Sequence, residues 1–234
     1  DQCPGTQMAM TVQTDADPNE TSWTILCEGT NDVACAGGSY ASSTTITDLD
    51  CTLPDGCYRL VVSDAAGDGI VAGGYSLRVQ SNADRIVDNL YSPLGLGGFT
   101  NGSTSAIANN EGFCLPLGTD RLIHTSCDIM QWRTSPCQAG NMVCNANPDV
   151  TAQYQMWWFD PNGGYSFRRI QYHSTANGMP AGATRACHFR LNAWSGNQLQ
   201  DLVLYNVRVR GIVNGTYLEW GPACRMMVDN VGLQ

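Results

Sequence analysis

The sequence predicts an all-β protein built as two consecutive disulfide-braced β-sandwich domains, and three observations carry that expectation. Gly (25 residues), Pro (10 residues), Asn, Asp, Ser and Thr punctuate the 234-residue chain, with short β-branched or aromatic runs between them. That rhythm belongs to sandwiches and barrels rather than to helices. Several runs alternate apolar and polar residues with the period of two that a half-buried strand requires. Eleven Cys in a chain of this length read as a disulfide framework formed in an oxidising compartment.

Taken in order, the strands expected in the first half are residues 8–14, 22–27, 43–49, 56–63, 74–79 and 84–90, each bounded by turn-forming residues. Cys57 to Val62 and Tyr75 to Val79 both alternate, so each presents one buried and one wet face. In the second half, residues 153–159, 165–172, 186–193, 204–210 and 223–228 read the same way. The clearest is 204–210, where Tyr205, Val207 and Val209 share one face and Asn206, Arg208 and Arg210 the other. No long polar linker interrupts the chain. The best boundary falls at residues 117–121, just after Cys114, giving domains of 1–118 and 119–234. A single larger barrel is the weaker alternative.

The twelve basic residues are all Arg, and twenty-one acids leave a net charge of −9. A phosphate backbone needs concentrated positive charge, so a nucleic-acid partner is not expected. No apolar run approaches the ~20 residues of a membrane-spanning helix. The chain opens on Asp1 without an initiator Met or a signal segment, the form of a secreted protein after signal removal or of a recombinant fragment. The expected location is extracellular or at the cell surface, reached through the periplasm.

None of the cysteines shows a Cys-x-x-Cys zinc spacing. Short loops suggest Cys27–Cys35, Cys51–Cys57 and Cys137–Cys144. Cys3–Cys114 and Cys127–Cys224 then close the first and second halves. Cys187 is left over, as a buried thiol or an intermolecular bridge.

Residues 10–79 resemble a module of secreted Bacteroidetes-type surface proteins and metalloprotease tails. The resemblance rests on Glu20-Thr21-Ser22-Trp23, Gly37-Gly38-Ser39-Tyr40, Asp55-Gly56-Cys57-Tyr58-Arg59-Leu60, Asp64-Ala65-Ala66-Gly67-Asp68-Gly69-Ile70 and Gly74-Tyr75-Ser76-Leu77. It implies a jelly-roll-like accessory domain with no chemistry of its own. Residues 120–228 are similar to a companion module with a fibronectin type III-like ending. That likeness is carried by Trp157-Trp158-Phe159-Asp160-Pro161-Asn162-Gly163-Gly164-Tyr165, Asn206-Val207-Arg208-Val209-Arg210 and Glu219-Trp220-Gly221-Pro222-Ala223-Cys224. The resemblance implies type IX export and display on, or release from, the bacterial cell surface.

Two regions are candidate sites. Asp64 and Asp68 flank a Gly-rich loop, and Asp15 and Asp17 could add oxygens from another. Several oxygens on tight loops are what Ca²⁺ uses, and a Gly-rich hairpin whose Asp side chains bond their own backbone is the alternative. The second region is Trp157, Trp158 and Phe159 with Tyr165, Arg168 and Arg169. It is either a ligand platform or protein interface, or a buried cation–π ladder. No His-Glu-x-x-His, Gly-x-Ser-x-Gly or Gly-rich phosphate loop is present, so an enzyme is not expected. The function expected is non-catalytic adhesion or binding, to a glycan or a surface protein. The alternative is a structural subunit of a fibre or surface complex, with the chain itself as its partner.

Overall fold

The computed structural model of the chain describes residues 5–42, 44–70, 73–90, 106–108, 112–122, 127–132, 140–143, 153–161, 165–172, 188–189, 191, 196 and 198–230. They are strands, turns and loops, with one short 3₁₀ turn at Pro18–Glu20. Contacts divide the chain into two compact units, residues 1–116 with 161–164, and residues 117–160 with 165–234.

The first unit contains β1 (Thr6–Gln13), β2 (Thr21–Cys27), β3 (Val33–Gly38), β4 (Thr45–Leu53), β5 (Gly56–Asp64), β6 (Gly74–Val79), β7 (Arg85–Asp88), β8 (Ala106–Ala108) and β9 (Phe113–Leu115). They form two antiparallel sheets, ordered β4-β1-β6-β7 and β3-β2-β5-β8, with β9 also on β5. Alternation places Met8, Met10 and Val12 of β1, Trp23 and Ile25 of β2, and Tyr58, Leu60 and Val62 of β5 in the core. Each such side chain contributes roughly 1.5–3 kcal/mol by leaving water. Strand β3, Val-Ala-Cys-Ala-Gly-Gly, lacks alternation and lies at the sheet edge, so its pattern carries no strand signal. Its Gly37 is required by packing, because a Cβ there would lie 2.7 Å from the Trp23 indole nitrogen.

A buried charge completes this unit. Asp88 is fully buried, and its Oδ2 meets the guanidiniums of Arg78 at 2.7 Å and Arg85 at 3.2 Å. Its Oδ1 accepts the Leu90 N–H at 3.1 Å.

Three disulfides are present among the described residues, and they correct the expected pairing. Cys35 bonds Cys51, tying β3 to β4 across the two sheets. Cys57 bonds Cys114, its directly opposed partner in the β5–β9 ladder. The proposed Cys27–Cys35, Cys51–Cys57 and Cys3–Cys114 pairs are therefore wrong. Cys51 on β4 and Cys57 on β5 lie in different sheets, so their closeness in sequence does not bring them together. Cys27 carries a free, partly buried thiol. Cys127–Cys224 is bonded, closing the second unit. Cys3, Cys137, Cys144 and Cys187 lie outside the described residues.

The second unit contains β10 (Arg121–Leu122), β11 (Ile129–Trp132), β12 (Gly140–Val143), β13 (Gln153–Phe159), β14 (Ser166–Tyr172), β15 (His188–Phe189), β16 (Leu204–Val213), β17 (Thr216–Tyr217) and β18 (Cys224–Val228). One sheet runs β11-β18-β16-β13-β14 with β17 on β16, and a smaller one runs β10-β12-β15. All pairings are antiparallel except β11 with β18. The core gathers Leu122, Ile129, Trp132, Met156, Trp158, Val207, Val209 and Met226, with the Cys127–Cys224 bridge beside them. Of the strand expected at 186–193, residues 188–189 form β15, and Leu191, the other described residue, lies outside any strand.

Candidate functional site

The Asp64 loop owes its shape to short-range hydrogen bonding. Asp64 ends β5 with its side chain fully buried. Its Oδ2 accepts the Gly67 N–H at 3.0 Å and the Gly69 N–H at 2.6 Å, and its Oδ1 accepts the Ala66 N–H at 3.3 Å. Gly67 and Gly69 have φ of 85° and 82°, the left-handed region that glycine enters without penalty. Asp64 therefore makes the backbone-bonded loop weighed as the alternative to a cation site.

The same loop nevertheless gathers charge. The register of β2 with β5 opposes Thr21 to Asp64, and the Ala65 N–H donates to the Glu20 carbonyl at 3.2 Å. Carboxylate oxygens of Glu20, Asp64 and Asp68 consequently lie within 4.8 Å of one another. Desolvation raises the Glu20 carboxyl above its ordinary value, and the negative charges of Asp64, Asp68, Asp17 and Asp15 raise it further. Asp15 and Asp17 thus act on the cluster through their fields and do not belong to the close trio; Asp15 Oδ1 accepts the Asp17 N–H at 3.0 Å. Glu20 was not legible as a member, because only the strand register brings Pro18–Glu20 beside the Asp64 loop. Three convergent carboxylates can hold a hard cation such as Ca²⁺. The only other such trio among the described residues, Glu28 with Cys57 and Cys114, has its sulfurs committed to the disulfide.

The aromatic region resolves into core and ladder. Trp157, Trp158 and Phe159 are all buried, so none of the three is an exposed platform. Trp158 faces the core cluster and packs on Phe167. Trp157 and Phe159 occupy the opposite face, with ring centroids 4.5 Å apart. That face is closed by the segment around Trp220, whose ring lies 5.4 Å from that of Trp157. The Arg168 guanidinium sits over Trp157 at 4.7 Å and over Trp220 at 5.8 Å. Arg210 continues the stack, 4.4 Å over Trp220 and 4.3 Å over Tyr217, held by two hydrogen bonds from its Nε and NH2 to Gln155 Oε1. Desolvation, then the like charge of Arg168, lowers the Arg210 pKa. Arg208 is buried beneath, donating to the carbonyls of Gly221 at 3.0 Å and Trp220 at 3.4 Å. Tyr165 packs edge-on against Tyr205 at 5.1 Å, and burial with that neighbour pushes its hydroxyl up to about 12. Arg169 lies on β14 and is partly buried.

Trp220 and Tyr217 were missed from the sequence, and the β16–β17 hairpin explains why they matter. Asn214 and Gly215 take φ of 50° and 81°, the geometry of a type I′ turn that favours Asn-Gly. The turn brings residues 216–221 back along β16, to which they hydrogen-bond, and sets the Tyr217 and Trp220 rings on the outer face beside Arg210. Past that cover, Tyr217 leaves its ring 44% exposed on the same face as Arg210. No known protein family matches the chain, and no curated protein does.

Proposed function

We propose that the protein is a non-catalytic extracellular adhesion protein of the bacterial cell surface, binding glycans through the tip of the β16–β17 hairpin. The observation that carries this reading is Tyr217. Its ring is braced by Arg210 and remains half-exposed, which suits the C–H face of a sugar, and Arg210 adds a cation for acidic sugars. The non-catalytic reading is supported by acids that bond within the fold. Asp64 shapes its own loop, Asp88 meets two arginines, and the partly buried Asp128 meets the Arg225 guanidinium at 2.8 Å. The three disulfides support an oxidising, extracellular setting, and no helix among the described residues is long and apolar enough to cross a membrane. The resemblance to type IX cargo supports the cell-surface assignment. Ca²⁺ at Glu20, Asp64 and Asp68 has a bracing role in this reading, joining the Pro18–Glu20 turn to the β5 loop. An array of neutral and acidic glycans tests the proposal: retention by the wild type and its loss in Tyr217→Ala, with unfolding unchanged, is the expected result.

A further inference from the structure

We infer that the hairpin site takes carboxylated polysaccharides. A uronate carboxylate bonds the NH1–NH2 edge of Arg210, and the adjoining sugar lies on the face of Tyr217 that Arg210 leaves open. This assignment rests on the glycan-binding reading and names its ligand class.

The donors of Arg210 identify the edge. A guanidinium carries five N–H donors in a rigid plane. Nε and NH2 both donate to Gln155 Oε1, at 2.9 and 2.7 Å, which fills the side those two nitrogens share. Among the described residues none takes a bond from NH1, and NH1 is not a buried orphan, so it opens to water. With the second N–H of NH2 it forms a parallel pair, the fork that a carboxylate accepts with both oxygens. The guanidinium carbon lies over the rings of Trp220 at 4.4 Å and Tyr217 at 4.3 Å. Aromatic faces carry the negative pole of the ring quadrupole. A flat carboxylate stays within the guanidinium plane, whereas a sulfate or phosphate ester carries oxygens out of it, toward those faces. Neighbouring charge favours the anion, because Arg168 acts on Arg210 more strongly than Glu219 does.

The same stack sets the length of the ligand. Arg210 occupies one face of Tyr217, so a sugar stacks on the other, about 4 Å beyond the ring at carbon contact distance. Cation and sugar then stand about 8 Å apart across the ring. A carboxylate on the stacked sugar itself does not span that distance, and one on the next residue of the chain does. The recognition unit is therefore two sugar residues.

The test is isothermal titration calorimetry of the full chain with galacturonate, glucuronate and mannuronate sugars, as monosaccharides, disaccharides and tetrasaccharides, and with their methyl esters. At least one acid series is expected to bind, gaining about tenfold or more from monosaccharide to disaccharide and little beyond. Methyl esterification keeps the sugar rings and removes the charge, and it lowers the affinity of the wild type by about tenfold or more. Arg210→Lys keeps a cation but not the fork, and loses a similar factor toward the acids. Near-ultraviolet circular dichroism checks that this variant is folded, and the ester comparison needs no variant. Esters that bind as tightly as acids, or Arg210→Lys equal to wild type, overturn the carboxylate assignment and leave the glycan reading standing. Monosaccharides that bind as tightly as disaccharides overturn the two-residue unit. No binding to any uronate overturns this assignment alone where neutral glycans are retained on an array, and overturns the glycan reading with it where the array is blank.

Discussion

Replacing Trp157 by Ala separates a structural ladder from a ligand platform. The indole is buried, its ring lies 4.5 Å from Phe159 and 5.4 Å from Trp220, and its Nε1 donates to Ser166 Oγ at 3.0 Å. Truncating a buried Trp typically costs about 3–5 kcal/mol through lost transfer energy and the cavity left behind. Losing the Arg168 stack adds about 0.5–1 kcal/mol at a partly exposed cation. The sum, about 3.5–6 kcal/mol, approaches the whole stability of a small domain. With a urea dependence of about 2 kcal/mol per M, the unfolding midpoint of the second unit falls by roughly 2–3 M. Urea unfolding followed by circular dichroism measures this. Tyr217→Ala is the control, expected to cost less than about 1 kcal/mol because its ring is half-exposed. A loss under about 1 kcal/mol for Trp157→Ala would refute the ladder.

Three further outcomes follow from buried or crowded charge. Asp88→Asn leaves Arg78 and Arg85 facing a neutral amide and costs about 3 kcal/mol, the low end for a broken buried pair because both guanidiniums still reach water; a urea midpoint equal to wild type contradicts this. Desolvation raises the Asp120 carboxyl, against an opposing hydrogen bond from the Gly211 backbone. A raised folded-state pKa means that ionisation opposes folding, so stability falls as pH rises from the ordinary carboxylate range through the folded value. Asp120→Asn therefore raises the melting temperature at neutral pH, with the gain vanishing in acid below both values; a pH-independent difference contradicts the account. Glu20 is raised in the same sense, so Glu20→Gln stabilises the chelator-treated protein near neutrality. Titrating Ca²⁺ into chelator-treated wild type gives heat and a higher melting temperature, at the ~0.1–1 mM affinity usual for extracellular modules, and Glu20→Gln loses both; no heat at millimolar Ca²⁺ removes the site.

What the sequence disclosed and what it concealed divide along physical lines. Period-two alternation exposed β1, β2, β5, β6, β13 and β16, because each buries one row of large apolar side chains. It could not expose β3 or the two-residue strands β10 and β17, whose pairing comes from their neighbours. The pairing of Cys35 with Cys51 depends on which strands face each other across the sheets, a property of topology rather than spacing. The density of aromatics at Trp157-Trp158-Phe159 was plain, but their burial was not. It depends on a hairpin more than fifty residues away, which lays Trp220 and Tyr217 over the outer face of the sheet. The Asn-Gly at 214–215 was the available signal for that hairpin. For the acidic loop, Asp64 and Asp68 were readable because they share one turn, whereas Glu20 joined them only through the β2–β5 register.

The proposed adhesive role assigns structure to the buried aromatics and binding to Tyr217 on the β16–β17 hairpin. The most direct measurement is a glycan array run in parallel with wild type, Tyr217→Ala and Arg210→Gln at low ionic strength. The account predicts retention of wild type, loss in Tyr217→Ala, and selective loss of acidic glycans in Arg210→Gln. Equal retention of all three proteins, or of none, contradicts it.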